Sequence, residues 1–196
     1  MQQQEALEMD EVLEKILFYC LDEAKEKLEK ENECAPFTLV VNGDQMFVEN
    51  YPDEDVQTCR ANAEANIKAA SSFGSHYAFC YDGFLETNQG ALDAIIVECA
   101  QRDMEQAYVI GLLYEQKENE RIYKDQAAFI DYAPMLFDAA AVAYAEGKEE
   151  GQSEDEVVAA AKEIAKKRRE QENREQENHE QKNCEQENEE NKDNGE

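Results

Sequence analysis

Apolar residues fall along this chain in two rhythms, one of period two and one of period three to four. From Ala91 to Glu115 the runs ALDAIIVECA and AYVIGLLYE, rich in Ile, Val, Leu and Tyr, flank the polar break QRDMEQ. Two such runs predict paired antiparallel strands at the centre of a sheet. In the first of them Ile95, Val97 and Cys99 point to one face while Ile96 and Ala100 point to the other, so a strand covered on both sides is expected. The helical rhythm comes earlier, over residues 5–31: Leu13, Ile16 or Leu17, Cys20, Ala24 and Leu28 recur at spacings of three and four. They line one face and leave Glu14, Lys15, Asp22, Glu23 and Lys25 outside, the pattern of an amphipathic cover for a sheet.

Between these landmarks Pro36 ends any helical continuation. FTLVV and QMFVE then flank Asn42-Gly43, which predicts a hairpin with strands at 37–41 and 45–49. A second helix is predicted from Asp53, whose side chain would cap it, with Val56, Cys59, Ala63, Ile67 and Ala70 as its buried stripe and Gly74 as its end. SHYAFCYDGFLE is the third strand, with a bend at Asp82-Gly83, and NQG turns the chain into the central pair. After Glu115, QKENERIYKD reads as loop. FIDYAPMLFDAAAVAYAEG reads as an Ala-rich third helix starting near Pro134. Ser153 and Glu156 have capping-box spacing ahead of a fourth helix.

The expected fold class is therefore α+β. A single five-stranded, mainly antiparallel sheet is covered by helices in the order α-β-β-α-β-β-β-α over residues 1–150, followed by a C-terminal helix over 151–169. Residues 170–196 repeat REQEN, REQEN, HEQKN, CEQEN. A period of five advances about 140° around a helix and builds no seam, so a low-complexity tail, disordered or transiently helical, is expected.

Charge changes this picture more than length does. The formal charge is −28; the last 27 residues carry 11 acidic and 3 basic side chains, a net of −8, which leaves −20 on residues 1–169. Such a field opposes nucleic acid and anionic membrane surfaces and favours basic partners. Six dispersed cysteines with no C-x-x-C pair argue against a disulfide framework. The opening MQQQEALEMDEVLEK is polar where a secretory signal would be apolar, so a cytoplasmic location is expected.

Residues 34–115 resemble an uncharacterised family of small bacterial α+β proteins. The matching features are Pro36-Phe37 opening the hairpin, Asp93-Ala94-Ile95 entering the fourth strand, Arg102-Asp103 at the next turn and Leu113-Tyr114 late in the fifth strand. The element order also resembles profilin- and roadblock-like topologies. The resemblance implies a fold and no assigned activity. Where that family often carries a histidine before the Arg-Asp turn and a proline before the late tyrosine, this chain has Gln101 and Leu113.

No phosphate-cradling, nucleophile-elbow or H-E-x-x-H pattern occurs, and no cofactor or metal is expected. His76, Cys80 and Asp93 are the candidate pocket residues, with the pocket placed between the second helix and the sheet. His76 and Cys80 share a strand face but stand about 13 Å apart at strand rise, so they serve one site only if the fold converges other groups on them. Asp93 stands among apolar neighbours, either in water at a frayed strand end or paired with Arg102 or Lys68. Tyr77, Phe79 and Tyr81 alternate along one face, as core aromatics do. The expected function is a non-enzymatic interaction module, of the immunity or inhibitor type, that caps a basic partner; the alternative is a small-ligand sensor or cryptic enzyme. A homodimer is expected if the fifth strand or the strand Gln45–Glu49 forms a sheet edge, or through the Ala-rich helix.

Overall fold

The structure, a computed structural model, describes residues 8–52, 55–87, 90–117, 120–149 and 166. The expected Asp53 cap, the capping box at Ser153, the fourth helix and the repeat tail lie outside the described residues. The chain divides into two units, residues 1–138 and 139–196. The second contributes one described helix, α3 (Ala139–Glu149).

The first unit runs α1 (Glu11–Glu31), β1 (Phe37–Asn42), β2 (Gln45–Asn50), α2 (Val56–Ala69), β3 (His76–Thr87), β4 (Gly90–Gln101), β5 (Gln106–Lys117), β6 (Glu120–Tyr123) and β7 (Ala128–Pro134). The fold is α+β, and every pairing in the sheet is antiparallel. Strand order is β2-β1-β3-β4-β5, after which β6 and β7 pair with successive parts of β5. Among the described residues the sheet thus has seven strands rather than five. Both additional strands come from segments expected to be loop and helix. Glu115–Lys117 continues β5 and folds back as β6, and Phe129–Pro134 adds to β5 as β7, so Pro134 closes a strand and the Ala-rich helix starts only at Ala139. Proline is tolerated there because an edge strand can lack an outward N–H.

The hairpin is also displaced by one position. Asn42 pairs with Gln45, leaving Gly43-Asp44 as the two-residue loop, and only Gly43 takes a positive φ, +57°. Helix α2 is capped by Asp55, whose carboxylate accepts from the Thr58 N–H at 3.0 Å. Val56 is 76% exposed instead of buried, because the first residue of so short a helix precedes its contact with the sheet. Asp82-Gly83 stays within β3 without breaking it.

Helix α1 lies across one face of the sheet. Leu13, Ile16, Leu17, Cys20, Leu21, Ala24 and Leu28 pack with Phe37, Leu39, Val41, Ala78, Cys80, Ile95, Val97 and Cys99. Each large aliphatic side chain fully buried there contributes roughly 1.5–3 kcal/mol. Asp10 caps the start of this helix through the Leu13 N–H at 2.7 Å. At its other end Asn32 is left-handed at φ 64°, and Arg121 from β6 donates to the carbonyl oxygens of Leu28 and Asn32. A cation there satisfies carbonyls that the helix itself leaves open.

The opposite face receives Cys59, Ala63 and Ile67 of α2, with Tyr77, Phe79 and the segment Met135–Phe137. Tyr77 and Phe137 meet edge to face at 4.9 Å. Gly74 makes this possible: a Cβ there would stand 3.0 Å from Phe137 Cζ and 3.0 Å from Val40 Cγ1. The five described cysteines are buried. Burial pushes the Cys34 thiol up to about 11 and that of Cys99 up to about 12. They act as small core hydrophobes. No helix among the described residues is long and apolar enough to cross a membrane.

Candidate functional site

His76, Cys80 and Asp93 all point to the α1 side of the sheet, not the α2 side, and they do not converge. His76 pairs with Gln101 at one end of the β3–β4 ladder, while Asp93 pairs with Phe84 toward the other. Asp93 and Gln101 are eight residue steps apart along β4, roughly 27 Å at about 3.4 Å per residue. Cys80 is fully buried between them and donates to the Cys20 carbonyl at 3.7 Å. Asp93 is exposed near Asp82, while Arg102 donates to the Gly74 carbonyl instead, at 2.9 Å. Burial first, and then the Asp93 charge, push the Asp82 carboxyl up; together they outweigh the hydrogen bond that Tyr114 donates to it and the Arg121 charge, and hold it above the ordinary range.

On the α2 side stands a charged cluster that the strand pattern concealed. Glu98 sits mid-β4 with 4% of its surface exposed, between Val97 and Cys99. Arg60 of α2 meets it fork to fork, at 2.9 and 3.0 Å, and Tyr81 donates to it at 3.0 Å. Arg60 also lies 5.6 Å from the Phe79 ring centroid and donates to Glu64 at 2.9 Å. The hydrogen bonds to Glu98 push the Arg60 guanidinium up, and burial followed by the Glu98 charge pushes the Tyr81 phenol to about 12. The spacing Phe79, Tyr81 opposite Ile96, Glu98 was readable in the sequence; what was not readable is that α2 would lay an arginine over it. The Glu98 carboxylate is occupied by its own chain, so this cluster fastens α2 to the sheet.

His76 belongs to a different place. Its Nε2 lies 2.8 Å from Asp10 Oδ2 and its Nδ1 2.9 Å from Ser75 Oγ. Asp10 therefore caps α1 with one oxygen and ties it to β3 with the other. Burial works to raise its carboxyl, but the Leu13 N–H and His76 together outweigh that and hold it below its ordinary value.

Beside this joint lies an open groove of about 490 Å³, lined by Glu8, Met9, Asp10, Gln101, Asp103, Met104 and Tyr108. The N-terminal end of α1 forms one wall and the β4–β5 turn the other. Gln101 donates through Nε2 to Asp103 at 2.7 Å, which leaves its Oε1 buried with no hydrogen-bond donor. Tyr108 donates to the Glu8 carbonyl at 3.2 Å. The lining thus holds three carboxylates and an unfilled amide acceptor, two methionines and a tyrosine ring, and no lysine or arginine. Carboxylates accept from cations, and thioethers and a ring face cover an aliphatic stem. A second hollow, about 340 Å³ between α1 and the segment leading into β7, has charges of both signs, with Asp22, Lys25, Lys124 and Asp125 around Leu17, Ile110 and Leu112. Among the described residues, no three carboxylate, thiol or imidazole groups gather closely enough to hold a metal ion.

The chain matches no protein-family model, and neither a curated protein nor a solved structure matches it significantly.

Proposed function

We propose that this chain is a non-enzymatic, cytoplasmic interaction module, in the manner of an immunity or inhibitor protein, and that it receives a lysine or arginine of a basic partner in the groove between Glu8 and Met104. The observation that carries this reading is the groove lining: Glu8, Asp10 and Asp103 with the unfilled Gln101 Oε1, no cation among them, and Met9, Met104 and Tyr108 beside them. An arginine side chain would supply the missing donor to Gln101 and lay its methylenes on the methionines. The net charge of −28 would draw such a partner in, more steeply at low salt. The resemblance to small bacterial α+β proteins is part of the same reading and adds no chemistry to it.

The test is an NMR titration of the labelled chain with a short arginine-rich peptide. Shifts should concentrate at Glu8–Asp10 and Gln101–Met104. The double change Glu8→Gln, Asp103→Asn should weaken binding by about tenfold or more, in line with the loss of charge-assisted hydrogen bonds. The charge-matched change Asp44→Asn, Glu86→Gln should leave it within about twofold, as distant rim charges do. Equal weakening by both pairs, or shifts spread evenly over the acidic surface, would mean that charge alone attracts the peptide and that the groove recognises nothing.

A further inference from the structure

The two margins of the sheet are built differently. On the β7 margin the register shifts at Val109/Ile110, Asp131 interrupts the apolar run and Pro134 ends it, devices that keep a strand edge from pairing with another chain. The β2 margin has neither the register shift nor the proline, and its one carboxylate, Glu49, follows the apolar run Met46–Val48 instead of interrupting it. Its register with β1 runs unbroken from Asn42↔Gln45 to Phe37↔Asn50, all six of its residues are exposed, and Met46, Phe47 and Val48 are 48%, 50% and 39% exposed. Among the described residues no strand pairs with its outer side.

The direction of its free backbone groups follows from the ladder. Tyr51 N–H donates to the Pro36 carbonyl at 2.8 Å, next to the last pair of the hairpin. Since hydrogen-bonded and non-hydrogen-bonded pairs alternate, Gln45, Phe47 and Glu49 bond inward to β1, and Met46, Val48 and Asn50 present their N–H and C=O groups outward. Phe47 and Glu49 share the α2 side of the sheet, with Phe47 6.3 Å from Phe73, while Met46 and Val48 share the α1 side.

We propose that β2 is a homodimer interface, pairing antiparallel with β2 of a second copy about a two-fold axis at Phe47. In that register Met46 and Val48 of one copy exchange backbone hydrogen bonds with Val48 and Met46 of the other. Their side chains oppose each other on one face, and the two Phe47 rings meet on the other at a closely spaced, non-hydrogen-bonded position. Charge selects the occupant. In a chain of −28, Gln45–Val48 is an uncharged strip that offers a basic strand no counter-charge, whereas a second copy meets no repulsion along it. The one carboxylate of β2, Glu49, would face Gln45 rather than its own copy, and it already accepts from the Asn66 side chain of α2. Asn50 is likewise held from its own chain, by Lys27 Nζ at 2.6 Å.

Sedimentation equilibrium on the full chain should show the mass rising with concentration from 22.4 kDa toward twice that value. Val48→Pro removes an N–H that points outward and spares the β1–β2 ladder, so it should keep the circular dichroism spectrum and raise the dissociation constant by about tenfold or more. Phe47→Cys should form a disulfide with itself across the axis under mild oxidation, since about 4.5 Å between α-carbons at such a pair lies within bridging range. Gln57→Cys, exposed on α2, should not. A monomer mass at every concentration, a dimer indifferent to Val48→Pro, or no cross-link mapping to position 47 would each overturn the interface. If Val48→Pro does not fold, the position-47 cross-link decides the matter alone.

Discussion

The two faces of the sheet are closed by opposite means. Under α1 the middle of the contact is apolar, with Leu13, Cys20 and Ala24 against Ala78, Cys80, Ile95 and Val97 all without measurable exposure, and polar contacts stand only at the two ends of the helix. Under α2 the helix offers small residues, Cys59 and Ala63, and a guanidinium that reaches the buried Glu98. The first face draws stability from area removed from water, which is indifferent to pH. The second draws position from a charge pair that contributes little net stability and penalises the loss of either partner. The difference locates sensitivity: volume matters on one face, complementarity on the other.

Leu13→Ala tests the first face most severely. It should cost about 3–5 kcal/mol in urea unfolding, at neutral and mildly acid pH alike, because the deleted atoms leave a cavity that α1 cannot close. Arg60→Ala should cost about 3 kcal/mol in the same urea unfolding, since Glu98 is then a buried carboxylate with only Tyr81 donating to it. A cost below about 1 kcal/mol would mean that the guanidinium acts there as an exposed charge does and leaves no buried partner stranded.

Glu98→Ala should be milder, about 1–2 kcal/mol, because the Arg60 side chain is 43% exposed and can turn to water. If Glu98→Ala proves the costlier of the two, the asymmetry argued from burial is wrong. Asp10→Ala should cost about 1 kcal/mol through the lost cap. With its folded carboxyl held below the ordinary value of 3.8, Asp10 contributes stability that is whole above that value and is lost as the pH falls through the folded one. The variant's stability should therefore fall less steeply than the parent's over that acid range, which paired urea titrations would show.

Much of the fold was legible because single residues announce it. The stripe from Leu13 to Leu28, the glycine of the hairpin and the alternation from Ile95 to Ala100 each carry their period locally. The failures share a cause. Arg121-Ile122-Tyr123 and Phe129–Pro134 are short segments whose apolar residues are mostly exposed, Ile122 at 43% and Ile130 at 41%, so neither rhythm is strong. They become strands because β5 extends from Gln106 to Lys117 and offers unpaired backbone along its whole length. The candidate residues His76, Cys80 and Asp93 lie apart for a related reason. His76 looked reactive as one of two histidines in the chain, yet its chemistry is decided by Asp10, which lies 66 residues away in sequence.

Composition and local period were enough, by themselves, to determine an acidic α+β chain with α1 as an amphipathic cover, a hairpin at Gly43 and a buried β4–β5 pair. These depend on interactions within a few residues or on sums over the chain, and such quantities are readable in one dimension. Only the tertiary structure decided that the sheet has seven strands, that Arg60 meets Glu98 38 residues away, and that Glu8, Gln101 and Asp103 share one groove. Each of those is a meeting of segments brought together by burial elsewhere. The hydrophobic effect that assembles them is non-directional and leaves no mark on the polar residues it makes neighbours.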